Sequence, residues 1–257
     1  MTLAALTTTS TRLRALLAAP LLALGAAIAL AALPQAALAR TVGSGTVATE
    51  SRSVGEFQAI AQQGGIDITV RQGAATAVQV SADDNLLPLL ETLVEDGRNG
   101  PTLVVRFKRG ERITTRSKVA VEIVTPKLVA LASAGSGDLR IEDFRTPSLK
   151  LSIAGSSDAR LNGLQTDELA ISISGSGDVR GSGQAGKLTI GIAGSGDVKL
   201  PELRADDVQI KIAGSGDAEV QATKTLKVSI AGSGDVVYSG DASMSTSVAG
   251  SGSVRKR

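Results

Sequence analysis

The sequence contains no cysteine, no histidine and no tryptophan, and only three Phe and one Tyr in 257 residues. Each absence closes a class of chemistry. Without thiols there is no disulfide framework, no thiolate nucleophile and no Cys-ligated cluster. Without imidazole there is no acid–base shuttle poised at neutral pH, and none of the usual zinc or haem ligation. Carboxylates, hydroxyls, lysine, arginine and backbone amides remain. With aromatics at 2%, the interior has to be aliphatic and an ordinary enzyme core is not expected. A surplus of one charge is lacking as well. Of 27 Lys and Arg, two (Arg12 and Arg14) lie in residues 1–39, which hold no acid, so the rest of the chain sets 25 bases against 25 acids. A balanced body offers no basic face for counterion-release binding, so nucleic acid is not expected as a partner.

Arg12 and Arg14 precede an uncharged Ala/Leu-rich run from Ala15 to Leu33, broken by Pro34 ahead of Ala37-Leu38-Ala39. A positive start, an apolar centre and a small-x-small site read as an export signal over residues 1–39, cut after Ala39. A permanent membrane anchor would need about 20 apolar residues. Pro20 and Gly25 interrupt this run, and no basic stop-transfer cluster follows. The mature chain is therefore expected to be exported, to the periplasm or the cell surface, without a stable membrane span and without a Cys for a lipid anchor.

The remainder is rich in glycine, 29 in all, and its second half repeats. A pentapeptide returns as Ala134-Gly-Ser-Gly-Asp138, Ala154-Gly-Ser-Ser-Asp158, Ser174-Gly-Ser-Gly-Asp178, Ala193-Gly-Ser-Gly-Asp197, Ala213-Gly-Ser-Gly-Asp217, Ala231-Gly-Ser-Gly-Asp235 and Ala249-Gly-Ser-Gly-Ser253, at spacings of 20, 20, 19, 20, 18 and 18. A period near 20 is the mark of a solenoid, in which a unit buries its apolar face only by stacking on its neighbours. Before each turn the apolar residues alternate, as in Leu149/Leu151/Ile153, Leu169/Ile171/Ile173 and Leu188/Ile190/Ile192. Period two means a strand with one buried face. Each repeat is predicted to be one coil of an all-β, parallel β-helix of about 20 residues per coil, with Gly-Ser-Gly-Asp at a corner.

Residues 40–125 lack the pentapeptide but also read as β, in Gly65–Val70, Val78–Val80, Leu103–Val105 and Val119–Ile123. Asp83-Asp84-Asn85 offers N-caps to a short helix over Leu86–Val94. This segment is predicted to cap the seven repeats of residues 126–257, and Arg255-Lys256-Arg257 to guard the far end against edge pairing.

With these motifs in hand, the sequence resembles the bacterial head GIN domain family, whose members are named "putative auto-transporter adhesin". The resemblance rests on Phe57, Gly65–Val70, Asp83-Asp84-Asn85-Leu86, Leu103-Val104-Val105 and all seven repeats, over residues 55 to 252. It implies an exported right-handed β-helix and carries over no catalytic residue. The chain departs from the family pattern at Ser157, where Gly is usual, and at Ser253, where Asp is usual. Neither change is expected to threaten the fold.

Two groups of side chains stand out. Asp138, Asp158, Asp178, Asp197, Asp217 and Asp235 form a ladder of like charge. It can be read as a structural corner bonded to local backbone, as a calcium ladder, or as glycosidase-type carboxylate pairs one coil apart. The structural reading needs no cofactor or metal. The second group, Arg106, Lys108, Arg109, Arg112, Arg116 and Lys118, surrounds a predicted hairpin at Lys108–Glu111. It is either ordinary surface charge or a patch for an anionic glycan or lipid headgroup. No phosphate loop, serine-nucleophile elbow or metal-ligand spacing is present. The sequence thus points to a non-enzymatic envelope protein for adhesion or scaffolding, with an envelope glycan or another envelope protein as partner and self-association open. A polysaccharide-acting enzyme and a calcium-binding solenoid are the other readings.

Overall fold

Alternating side chains and a glycine-rich corner every 18 to 20 residues leave the chain little choice but to coil. The computed structural model describes residues 40–257; the export signal expected over 1–39 lies outside the described residues. It is a parallel β-solenoid of about six turns. Successive coils pair in parallel through long strands that bend without breaking, among them Ala159–Gly175, Val179–Gly194, Val198–Gly214 and Ala218–Gly232.

Register explains the core. Ile173 pairs with Ile192 and Ile192 with Ile212, so like residues stack on like, and all three are at most 2% exposed. Leu188, Ile190, Val198, Leu200 and Leu203 are equally buried on the other sides of the coil, and Phe144 fills one corner. Burying a Leu, Ile or Val contributes about 1.5–3 kcal/mol. A few aromatics are enough because each coil completes its neighbour's apolar face.

The coils differ in length, and register shows where the difference is absorbed. The Gly-Ser-Gly-Asp corner pairs without slippage throughout. Irregularities fall instead between Leu161 and Leu164, between Arg180 and Ser182, between Leu200 and Arg204, and between Ala205 and Asp207. One corner is uniform and the opposite one is variable.

The N-terminal segment does more than sit on the end. Ala59–Gly64 and Asp67–Gln72 pair in parallel with Ala130–Gly135 and Leu139–Glu142, forming a coil in register with the repeats. The chain then leaves the solenoid and returns at residue 130. During that excursion Gly100–Phe107 and Ala120–Thr125 pair beneath the first coil and Ala77–Asp83 and Leu90–Gly97 join them in antiparallel, while Val47–Arg52, from before the first coil, pairs antiparallel with Ala77–Asp83.

Two local expectations are corrected here. In place of a helix over 86–94 there is one 3-10 turn, Leu87–Leu89, followed by strand Leu90–Gly97. The strand wins because Arg98-Asn99 make a two-residue hairpin turn, followed by Gly100 at φ +89°, that pairs it with Gly100–Phe107. Asp83 does not cap; it is 1% exposed, and its carboxylate accepts the Thr115 hydroxyl. The expected hairpin at Lys108–Glu111 keeps its turn, where the Glu111 amide donates to the Lys108 carbonyl. However, Arg112–Thr114 pairs in parallel with Arg40–Val42 instead of returning along its own preceding strand, which the Leu90–Gly97 strand already occupies.

Candidate functional site

At the uniform corner coil is tied to coil by three backbone-directed bonds, except between Asp138 and Asp158, where only the two backbone–backbone bonds form. The Ser195 amide donates to the Gly175 carbonyl at 3.0 Å, the Val179 amide donates to the Asp197 carbonyl at 2.8 Å, and the Asp197 amide donates to Oδ1 of Asp178 at 3.1 Å. The last bond recurs from Asp178 to Asp158, Asp217 to Asp197, Asp235 to Asp217 and Ser253 to Asp235, at 2.8–3.0 Å. It also runs from Asp138 to Asp67 at 3.0 Å. Asp67 is thus a further member of the ladder. Sequence reading missed it because 71 residues separate it from Asp138 and its corner reads Gln63-Gly-Gly-Ile-Asp67.

Three of the outer oxygens meet cations. Oδ2 of Asp178 lies 3.2 Å from Arg180, Oδ2 of Asp197 2.8 Å from Lys199, and Oδ2 of Asp138 3.7 Å from Arg160. Backbone donors on one oxygen and neighbouring cations on the other offset the like-charge repulsion, which at strand spacing is under about 1 kcal/mol in water and roughly 3 kcal/mol at an effective dielectric near 20. Burial pushes the Asp197 carboxyl up, but Lys199 and the Asp217 amide outweigh it, and the net shift is downward. The Ser253 hydroxyl and amide lower Asp235.

The basic group does not act as one. Arg106 is mostly buried and committed to Glu91 and Glu95, at 3.1 and 3.0 Å, and its guanidinium pKa is raised by the Glu91 hydrogen bond and by both charges, against a smaller opposing effect of burial. Lys108, Arg109, Arg112, Arg116 and Lys118 are exposed on the turn and the loop after it. Register adds Arg40 beside Arg112.

The variable corner holds the larger concavity, a groove of about 730 Å³. Three columns of residues form it, one residue per coil. Arg145, Gln165, Gln184 and Arg204 make one wall, Thr146, Thr166 and Ala185 the floor, and Pro147, Asp167, Gly186 and Asp206 the other wall. Sequence reading passed over these residues, although counting six or seven places past each corner Asp from Asp138 to Asp197 finds the first wall.

Comparison with known proteins places this geometry. The family described as "Putative auto-transporter adhesin, head GIN domain" matches residues 56–242. The chain belongs to this family. A structure named "putative adhesin" from Bacteroides fragilis NCTC 9343 is similar at 25% identity, covering 84% of this chain and 100% of its own, with a TM-score of 0.78. A "Putative lipid binding protein" from Parabacteroides distasonis ATCC 8503 matches at 27% identity, 85% and 100% coverage, and a TM-score of 0.70. No curated protein matches the chain.

The departure from the head GIN pattern at Ser157 has a packing reason. A Cβ at Gly177 or Gly196 would lie 2.1 or 2.2 Å from the carbonyl oxygen of Ser157 or Gly177, and 3.0 Å from Cγ2 of Ile153 or Ile173, all on the coil before. Before Ser157 the equivalent inward position is Ser133, not isoleucine, and below that Gln62. The three form a buried hydrogen-bonded cluster, with the Ser133 and Ser157 hydroxyls 2.6 Å apart. The small polar residue at 133 leaves the room that the side chain at 157 takes.

If the corner carboxylates are structural, acid and calcium have opposite consequences. The ordinary carboxyl value is 3.8, and Asp197 and Asp235 sit below it in the folded chain. Their contribution is complete above 3.8 and is lost as the pH falls through the lower folded-state values. The melting temperature is therefore expected to fall as the pH drops below 3.8. At neutral pH, millimolar calcium and chelator are expected to give midpoints within about two degrees. A rise of about ten degrees in calcium, abolished by Asp197→Asn with Asp217→Asn, would restore the calcium-ladder reading.

Proposed function

We propose that the protein is an exported, non-enzymatic adhesin-type solenoid of the cell envelope, which presents its lateral surface to an envelope glycan or protein. The observation that carries this reading is the commitment of the repeated corner: most of its carboxylates accept backbone amides from coil to coil, and Asp138, Asp178 and Asp197 pair outward with Arg160, Arg180 and Lys199, so the repeated carboxylates are largely engaged in holding the fold. The family name and the adhesin-named structure agree with it. Against the enzyme reading, the groove carboxylate of Asp206 is held ionised by the Thr223 hydroxyl and Lys224, the wrong state for a general acid in glycoside hydrolysis. Against a lipid ligand, the side chains facing the solenoid interior from Leu188 to Leu203 are 0–2% exposed and packed on one another, so an acyl chain would have to displace core. Among the described residues no helix is long and apolar enough to cross a membrane.

Expression of the full sequence in a Gram-negative host, followed by fractionation and intact-mass measurement, tests the export half. The expected product is an envelope or extracellular protein beginning at Arg40. Retention of residues 1–39 in a cytoplasmic product would overturn it. Adherence of the purified mature protein to isolated envelopes tests the other half.

A further inference from the structure

The two corners of the coil differ in kind. At the uniform corner the rungs repeat nearly the same residues, and most of the carboxylates accept a backbone amide from the next coil. At the variable corner the rungs differ from one another, the coil lengths change, and polar groups are left over. Arg145 and Arg204 make no ion pair among the described residues, nor does Asp167. A repeat protein that needed this corner only to turn the chain would have no reason to place arginine, glutamine, glutamine and arginine in successive rungs, all exposed, along one wall of its larger groove.

We infer that this groove is a binding site for a linear, uncharged glycan lying along the solenoid axis, an assignment that rests on the adhesin reading above. The chemistry of the walls selects the class. On one side Gln184 and Arg204 offer amide and guanidinium donors, and Arg145 and Gln165, bonded to each other, offer their remaining N–H groups; on the other Asp167 offers a carboxylate without a partner among the described residues, and Asp206 the lone pairs left beside Thr223 and Lys224. Sugar hydroxyls donate and accept at once, so adjacent hydroxyls on one ring can bridge the two walls. Rungs are about 4.8 Å apart, so the four-residue wall is about 14 Å long, and each rung step is close to the length of one pyranose in an extended chain. The volume of about 730 Å³ lies within the range of small-molecule sites. The floor residues Thr146 and Ala185 are buried, and the Thr166 hydroxyl, which bonds the Pro147 and Glu168 carbonyls, is already satisfied and leaves recognition to the walls.

Charge decides between neutral and acidic chains. Two arginines face two aspartates across the groove, and Lys224, 2.9 Å from Asp206, leaves a surplus of only about one positive charge. A polyanion would meet the free carboxylate of Asp167 and gain little net attraction. Without aromatic residues to stack on, binding rests on hydrogen bonds and is weak per site, as suits a surface that engages many strands at once.

Titration of the mature protein with neutral hexasaccharides (cello-, xylo-, manno- and N-acetylchito-), with polygalacturonate as the acidic arm, tests the assignment. At least one neutral hexasaccharide is expected to bind, with affinity rising with chain length up to about four sugars and little changed by 0.5 M salt. Arg145→Ala with Arg204→Ala, and separately Gln165→Ala with Gln184→Ala, should each weaken binding about tenfold or more at an unchanged melting temperature, because all four side chains are exposed. Binding by none of the neutral chains, binding only to polygalacturonate and abolished by salt, or undiminished binding by both double variants would overturn it. If the wild type and both variants adhere equally to isolated envelopes, the groove assignment fails and the adhesin reading stands. If the wild type does not adhere at all, it is the adhesin reading that fails.

Discussion

Ile192→Asp is expected to destabilise the mature protein by about 4 kcal/mol or more, enough to unfold the middle coils at ordinary temperature. Ile192 is 2% exposed, between Ile173 and Ile212 on the adjoining coils. Removing its side chain alone forfeits about 2–3 kcal/mol of burial. The carboxylate then sits among isoleucines with no donor in reach, and it must either stay charged without a partner or take up a proton at a cost. In a solenoid each coil touches only its neighbours, so the loss spreads first to the coils on either side. Thermal unfolding with hydrogen exchange should show the centre opening before the N-terminal cap. An unchanged melting temperature would mean that Ile192 does not face inward.

Gly194→Ala is expected to cost about 3–5 kcal/mol, although it adds a single methyl group. Two effects combine. Gly194 has φ +141°, a conformation that costs a residue with a side chain about 1–3 kcal/mol. A Cβ there would also come within 2.2 Å of the Gly175 carbonyl oxygen, part of the backbone of the preceding coil and therefore unable to swing aside. That oxygen accepts the Ser195 amide, so pushing the coils apart also weakens a corner bond worth about 1 kcal/mol. Ala193→Ser is the matched control: position 193 is exposed, and Ser174 occupies the same rung one coil earlier. Denaturant melts of the two variants should separate them clearly. Equal stabilities would mean that glycine is dispensable at the corner.

What could be read from the amino acids alone follows a physical line. Leu188, Ile190 and Ile192 announced a half-buried strand because alternation needs no partner to be seen, and the pentapeptide announced the coil length because it recurs. Features that depend on chain segments far apart were hidden. Asp67 belongs to the ladder through a pairing 71 residues long, interrupted by the excursion that builds the cap. Leu86–Val94 looked helical because Asp83-Asp84-Asn85 resembles a cap, yet Asp83 is held by Thr115 and the strand is claimed by its hairpin partner. Arg106 read as part of a basic patch because Glu91 and Glu95, which neutralise it, lie on the neighbouring strand. The groove was invisible because its walls are built from unlike residues about 20 positions apart, at the corner where coil lengths vary.

From Asp158 to Asp235 the corner carboxylates hold the next coil by its backbone, and amide hydrogen exchange resolved at single residues measures that directly. The amides of Asp197, Asp217 and Asp235, which donate to Asp178, Asp197 and Asp217 at 3.1, 3.0 and 2.8 Å, should all be protected. In Asp197→Ala the Asp217 amide should exchange much faster while the Asp197-position amide, still facing Asp178, stays protected. Fast exchange at all three amides in the unaltered protein, or an Asp217 amide equally protected after Asp197→Ala, would contradict it.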